Sequence, residues 1–200
     1  MSAAKRKQIM TMFRRTGFVR PRELEQAGVP RWALYELVRE GAVLRQGRGI
    51  YTLPDAPITE KHSYAEAIKR VPRGIICLMS ALRFHGLTMQ NPAEVWVAIP
   101  RGEWQPKSDG LRLRVVQFSG KALTIGIEMQ QVEGVKIAVT NVARTIVDCF
   151  KFRNKIGTDV AVEALRDGWR KKRFTMKELW QYASVYRMSR VMMPYLETLA

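Results

Sequence analysis

Between two glycines, Gly28 and Gly41, the chain reads Pro30-Arg31-Trp32-Ala33-Leu34-Tyr35-Glu36-Leu37-Val38-Arg39-Glu40. Ala33, Leu34, Leu37 and Val38 recur at helical spacing and form one apolar stripe, which turns Arg31, Trp32, Tyr35 and Arg39 to the opposite face. An arginine on such a face can grip guanine O6 and N7 with two parallel N–H bonds, or make a charge-assisted bond to phosphate. Trp and Tyr can touch thymine methyls or hydrogen-bond to the nucleic-acid backbone. The plainer alternatives are that the two aromatics complete a hydrophobic core and that the two arginines only face solvent. A few residues on, Arg45, Gln46 and Arg48 cluster around Gly47 and Gly49, whose missing Cβ atoms permit close approach of backbone to phosphate. Arg20 and Arg22 stand at the start of a short helix, where side chains and unsatisfied N–H groups can meet phosphate oxygens.

A second set of chemistry-bearing residues lies toward the C-terminus. Arg144 and Asp148 are four apart on one helix, so an intrahelical ion pair worth a few tenths of a kcal/mol is the plain reading. Lys151, Arg153 and Lys155 precede Gly157, with Asp159 as an expected N-cap, so a basic loop meets a helix start that suits phosphate or an acidic protein surface; a solvated loop fits equally. The run Arg170-Lys171-Lys172-Arg173 reads as the cationic end of a helix, or as a contact to flanking DNA. Trp169, Phe174, Leu179, Trp180 and Tyr182 have the spacing of core residues, and His85 that of a helix C-terminal residue.

No catalytic constellation assembles. There is no P-loop, HExxH or GxSxG motif, and the acids Asp109, Glu128, Glu133 and Asp148 are scattered. Cys77 and Cys149 each sit in an apolar run and read as buried free thiols, and the isolated His62 and His85 suggest no zinc site. The expectation is a protein that is not an enzyme and has no metal or cofactor. A metal-dependent nuclease hiding dispersed acids is the weaker alternative.

The elements that must position these residues can be read from periodicity and punctuation. Helices are expected over 3–15, 21–27 and 30–40, the last two separated by a short turn at Gly28-Val29, followed by a hairpin over 43–53 and a linker at 54–57. Helix, helix, turn, helix and hairpin make a winged helix-turn-helix, with the second helix of the turn entering the major groove and the hairpin as the wing on the neighbouring backbone. Helices over 59–71 and 74–85 follow, then strands over 95–99, 111–116 and 135–139 with a weaker one at 125–129. Helices over 141–150, 159–172 and 175–186 close the chain. The fold class is therefore α+β. A DNA-binding domain spans 1–55, and a larger mixed α/β domain with a small sheet and C-terminal helices spans 58–200.

Charge agrees with a polyanionic partner. The 200 residues carry 34 Lys/Arg against 18 Asp/Glu, a formal +16; residues 1–55 contribute +6 and the remainder +10, so both domains are basic. No apolar run approaches the roughly 20 residues that span a bilayer, and no secretory h-region follows Lys5-Arg6-Lys7. A cytoplasmic protein without a membrane partner is expected, a monomer in solution.

Several strings together resemble AbiEi-family antitoxins of type IV toxin–antitoxin systems. They are Arg48-Gly49-Ile50-Tyr51-Thr52-Leu53-Pro54, Ser80-Ala81-Leu82-Arg83-Phe84-His85-Gly86-Leu87, Ala143-Arg144-Thr145-Ile146-Val147-Asp148-Cys149-Phe150, Arg153 to Ala161, Glu163-Ala164-Leu165-Arg166, and the closing Met193-Pro194-Tyr195-Leu196-Glu197. The resemblance implies a role in phage abortive infection, with a winged domain that represses its own operon at inverted repeats of double-stranded DNA. It also implies a C-terminal domain that neutralises a nucleotidyltransferase-like toxin, with or without direct contact. On that reading Arg144, Asp148, Lys151, Arg153, Lys155, Asp159 and Arg166 are the candidates for antitoxin function. A ligand-responsive regulator without a toxin is the alternative.

Overall fold

A computed structural model describes residues 1–56, 59–103 and 110–199. Pro57 of the expected linker, residue 58 at the expected domain start, and Asp109 lie outside the described residues. The chain is α+β and divides into two compact units. The first comprises Met1–Arg73 with Gln130–Ile137 and a short stretch ending at Arg112, and the second takes most of the chain from Gly74 on.

The first unit is built from α1 (Ala3–Thr16), β1 (Phe18–Val19), α2 (Pro21–Gln26), α3 (Arg31–Arg39), β2 (Leu44–Gly47), β3 (Ile50–Thr52) and α4 (His62–Arg70). The Ser2 hydroxyl accepts from Lys5 N to cap α1, and Pro21 opens α2 where its missing N–H costs nothing. The strands form an antiparallel sheet in the order β1-β3-β2. Its core joins Ile9 and Phe13 of α1, Leu24 of α2, Leu34 and Leu37 of α3 and Tyr51 of β3, all buried. Each such side chain stabilises the unit by about 1.5–3 kcal/mol relative to exposure. Lys69 of α4 is ion-paired to Glu23 of α2 at 2.7 Å.

Residues 130–137 are held in this unit by Glu133 and Gly134. Glu133 Oε1 accepts from the backbone N–H and hydroxyl of Thr59 at 2.8 and 2.7 Å, and Oε2 lies 2.8 Å from His62 Nδ1. Gly134 has φ +75°, and a Cβ there would stand 2.1 Å from the Arg15 carbonyl oxygen, so only glycine fits.

A five-stranded sheet in the order β6-β5-β4-β8-β7 is formed by β4 (Ile75–Ile76), β5 (Val95–Pro100), β6 (Leu113–Phe118), β7 (Ile127–Val132) and β8 (Val135–Thr140), all of it in the second unit except the residues of β7 and β8 within Gln130–Ile137. β5 runs parallel to β6 and antiparallel to β4, which runs parallel to β8. The helices are α5 (Leu78–Phe84), α6 (Val142–Lys151), α7 (Arg153–Ile156), α8 (Thr158–Arg170), α9 (Met176–Val185) and α10 (Ser189–Leu196), with 3-10 turns at Gly120–Leu123 and Glu197–Leu199. The central helix is α6: every residue from Val142 to Phe150 is buried, and it packs on α5, α8 and α9.

Three expectations are corrected. The helix expected over 74–85 is a strand followed by a helix, because Ile75 and Ile76 pair with both β5 and β8, and Leu78 at φ +48° breaks the chain direction. The β-branched pair is worth more inside the sheet than in a helical turn. Trp169, expected in the core, is 38% exposed, although its ring meets Phe174 at 6.0 Å. The N-cap of α8 is Gly157 (φ 97°) rather than Asp159, which lies in the first turn. Phe174 and Leu179 are buried as expected, Trp180 and Tyr182 half-buried. His85 caps the end of α5, with Nε2 2.7 Å from the Thr140 carbonyl oxygen. Both cysteines are free and buried. Among the described residues no helix is long and apolar enough to cross a membrane, and no cluster of His, Cys, Asp and Glu could hold a metal ion.

Candidate nucleic-acid interface

The two faces of α3 differ sharply in burial. Ala33, Leu34 and Leu37 are fully buried, whereas Trp32 is 53% and Tyr35 52% exposed, so neither aromatic completes the core. Arg31 and Arg39 are exposed on the same side. Nine residues at 1.5 Å rise make a rod of about 13 Å, the scale of a major groove about 12 Å wide.

The two arginines are not equivalent. Arg31 is gripped by Glu25 of α2, with Nε 2.6 Å from Oε1 and a terminal nitrogen 3.1 Å from Oε2. Those hydrogen bonds, and then the carboxylate charge, raise the guanidinium pKa further above its ordinary value, so Arg31 stays cationic. An exposed pair of this kind is weakly held, and a phosphate or guanine can compete for it. Arg39 has no ion-pair partner among the described residues. The sequence reading placed both on the outward face but missed Glu25, which lies six residues before Arg31 across the turn.

The hairpin forms the expected wing. Arg45 pairs with Tyr51, and a register shift between Arg45 and Gly47 bulges the strand at Gln46. Arg45, Gln46 and Arg48 are all exposed, and Gly49 turns at φ +70°. Arg45 Nε reaches back to the Gly47 carbonyl at 3.4 Å, a long bond that leaves most of the guanidinium outward. Leu44, 47% exposed beside them, adds an apolar contact that sequence reasoning did not single out.

At the start of α2 one part of the expectation needs correction. Arg22 is exposed and Arg20 half-buried, but the Arg20 N–H already donates to Glu23 Oε2 at 2.7 Å. The carboxylate of Glu23 thus occupies the helix start, so Arg22 and Arg20 can offer side chains there but the Arg20 amide is not a free phosphate donor.

The residues singled out in the second unit do not converge on one place. Arg144 and Asp148 are buried: Arg144 Nε donates to Asp148 Oδ2 at 2.8 Å, its other nitrogens donate to the carbonyls of Ile125 and Ala122, and its plane lies 4.3 Å over the Tyr186 ring. The pair is intrahelical as the spacing indicates, yet it belongs to the interior, so the few-tenths scale of a surface pair does not apply. Burial pushes the Asp148 carboxyl up to about 6, against the opposing pull of Arg144 and Lys151. Lys151 is exposed, with Nζ 5.2 Å over Tyr186. Arg153 is half-buried, donating to the Phe150 carbonyl at 2.9 Å, and Lys155 Nζ lies 5.8 Å from the Phe152 ring. Asp159 and Arg166 sit instead along α8, in a groove with Glu163 and Arg170.

Residues 7–54 match the family model described as a transcriptional regulator, AbiEi antitoxin. The stretch runs from α1 to the end of the wing and contains every residue of the candidate interface. No curated protein matches the chain.

Proposed function

We propose, from the match of residues 7–54 to the AbiEi antitoxin model of transcriptional regulators, that the chain represses its own operon at an operator duplex. The exposed face of α3 carries this reading. Arg39, Trp32 and Tyr35 read base edges in the major groove, and Arg31 joins them by exchanging Glu25 for a guanine or a phosphate. The wing residues Arg45, Gln46 and Arg48, with Arg20 and Arg22, hold flanking phosphates and set the register. The remainder of the chain counteracts a nucleotidyltransferase-like toxin, acting on the effect of the toxin with no contact required by the residues above. No step asks catalysis of this chain.

The test places the chain's own upstream region before a reporter and expresses the full chain in trans. Repression that is relieved by Trp32→Ala/Arg39→Ala, with growth still rescued when the neighbouring toxin gene is induced, supports both halves. Reporter output unchanged by the wild-type chain would overturn the repressor reading, and arrested growth in the presence of wild type would overturn the antitoxin reading.

A further inference from the structure

A cavity of 380 Å³ opens in the second unit between the end of β6, the 3-10 turn Gly120–Leu123, the end of α6 and the turn after α9. Lys121, Lys151 and Arg187 line it, one from each of three separate segments. All three are exposed, and none is ion-paired to a carboxylate among the described residues. Asp148 reaches the same cavity, but its charge is matched by the Arg144 guanidinium bonded to it. The walls therefore hold an excess of three positive charges. Sequence reasoning singled out Lys151 alone, because Lys121 and Arg187 are far from it in the chain.

Phe118, Ala122, Phe152 and Val185 supply the apolar part of the lining. The Tyr186 hydroxyl reaches the Lys121 carbonyl at 3.5 Å, and the Tyr186 ring stacks on the Arg144 guanidinium, which fixes this lining residue in place. A concavity of this size whose lining is polar and apolar in about equal parts suits a small molecule with one charged end and one flat, less polar end. Three cations lining one cavity select an oxyanion, and an arginine among them suits a phosphate's paired oxygens.

We propose that this cavity binds a phosphorylated small molecule of mononucleotide size. Lys121, Lys151 and Arg187 hold its phosphate, Ser119 and Gln117 in the lining hydrogen-bond its polar edge, and Phe118, Phe152 and Val185 take the flat remainder. The site lies outside the residues that read DNA, so it stands whether or not the operator reading does.

Arg187 gives a clean variant. It follows α9 at φ +58° and closes the helix end, with its N–H bonded to the Ser184 carbonyl and that of Met188 to the Ala183 carbonyl. Glycine is the residue that usually fills this left-handed position, so Arg187→Gly removes the guanidinium without opposing the fold. Full-length protein without DNA is titrated calorimetrically with AMP, GMP, CMP and UMP, with adenosine and inorganic phosphate as separate arms. At least one mononucleotide should saturate, about tenfold or more tighter than either adenosine or phosphate. Arg187→Gly and Lys151→Ala should each weaken it about tenfold with an unchanged melting midpoint, and Lys151→Arg should restore it. No saturable binding, equal affinity in the variants, or phosphate binding as tightly as the nucleotides would overturn the proposal.

Discussion

Asp148 is a buried carboxyl group bonded to the Arg144 guanidinium, and that setting fixes both its proton affinity and what the pair contributes to stability. Spacing marks it as half of an i, i+4 pair with Arg144, and that pair exists. Burial changes its consequences. Removing the guanidinium strands a buried carboxylate, so Arg144→Ala should cost about 3–5 kcal/mol in urea unfolding rather than a few tenths. The carboxyl is raised from 3.8 to about 6 in the folded chain. Between those values the folded state carries more proton than the unfolded one, so stability falls as pH rises through this window, and the loss is complete above about pH 6. Asp148→Asn lacks this titration. The wild-type melting midpoint should therefore rise relative to Asp148→Asn as pH is lowered from 7 to 5, and a relative fall would mean that the pair holds the carboxyl ionised instead.

Among the elements, those with a regular period and clear stops were legible. α1, α2, α3 and the wing fall within a residue or two of their sequence positions, because Gly17, Gly28 and Gly41 end the helices and apolar stripes define their inner faces. The outward face of α3 followed from the same stripe. β4 was hidden inside a helical reading because its two isoleucines are decided by neighbours distant in sequence, β5 and β8. α10 was unread because Pro194 lies within it, although Met192 and Leu196 bury one side. The cation cluster around Arg187 was likewise invisible, since three separate segments supply it. Tertiary contact can be isolated from backbone conformation with two glycines at φ +75°. Gly28 has nothing within 4 Å of an added Cβ, whereas Gly134 meets Arg15 backbone at 2.1 Å. Gly28→Ala should cost about 1 kcal/mol and Gly134→Ala at least about 2 kcal/mol more, read from denaturant midpoints. Equal costs would mean that residues 130–137 do not pack on the end of α1.

For the whole molecule, a formal charge of +16 ensures attraction to any polyanion and selects none. That attraction is sequence-independent, and with six to ten phosphate contacts it should weaken by about 10³–10⁵ between 50 and 200 mM salt. On the proposed reading, specificity comes from the part of the surface where charge is joined to exposed aromatics, which in the first unit is α3. The most direct measurement compares affinities for the upstream operator and for a scrambled duplex at fixed salt, in wild type, Trp32→Ala/Arg39→Ala and Arg48→Ala. The α3 variant should lose about 10- to 100-fold on the operator and little on the scrambled duplex, while Arg48→Ala should weaken both alike. Equal loss on both duplexes in the α3 variant, or none, would contradict the assignment of base reading to that helix.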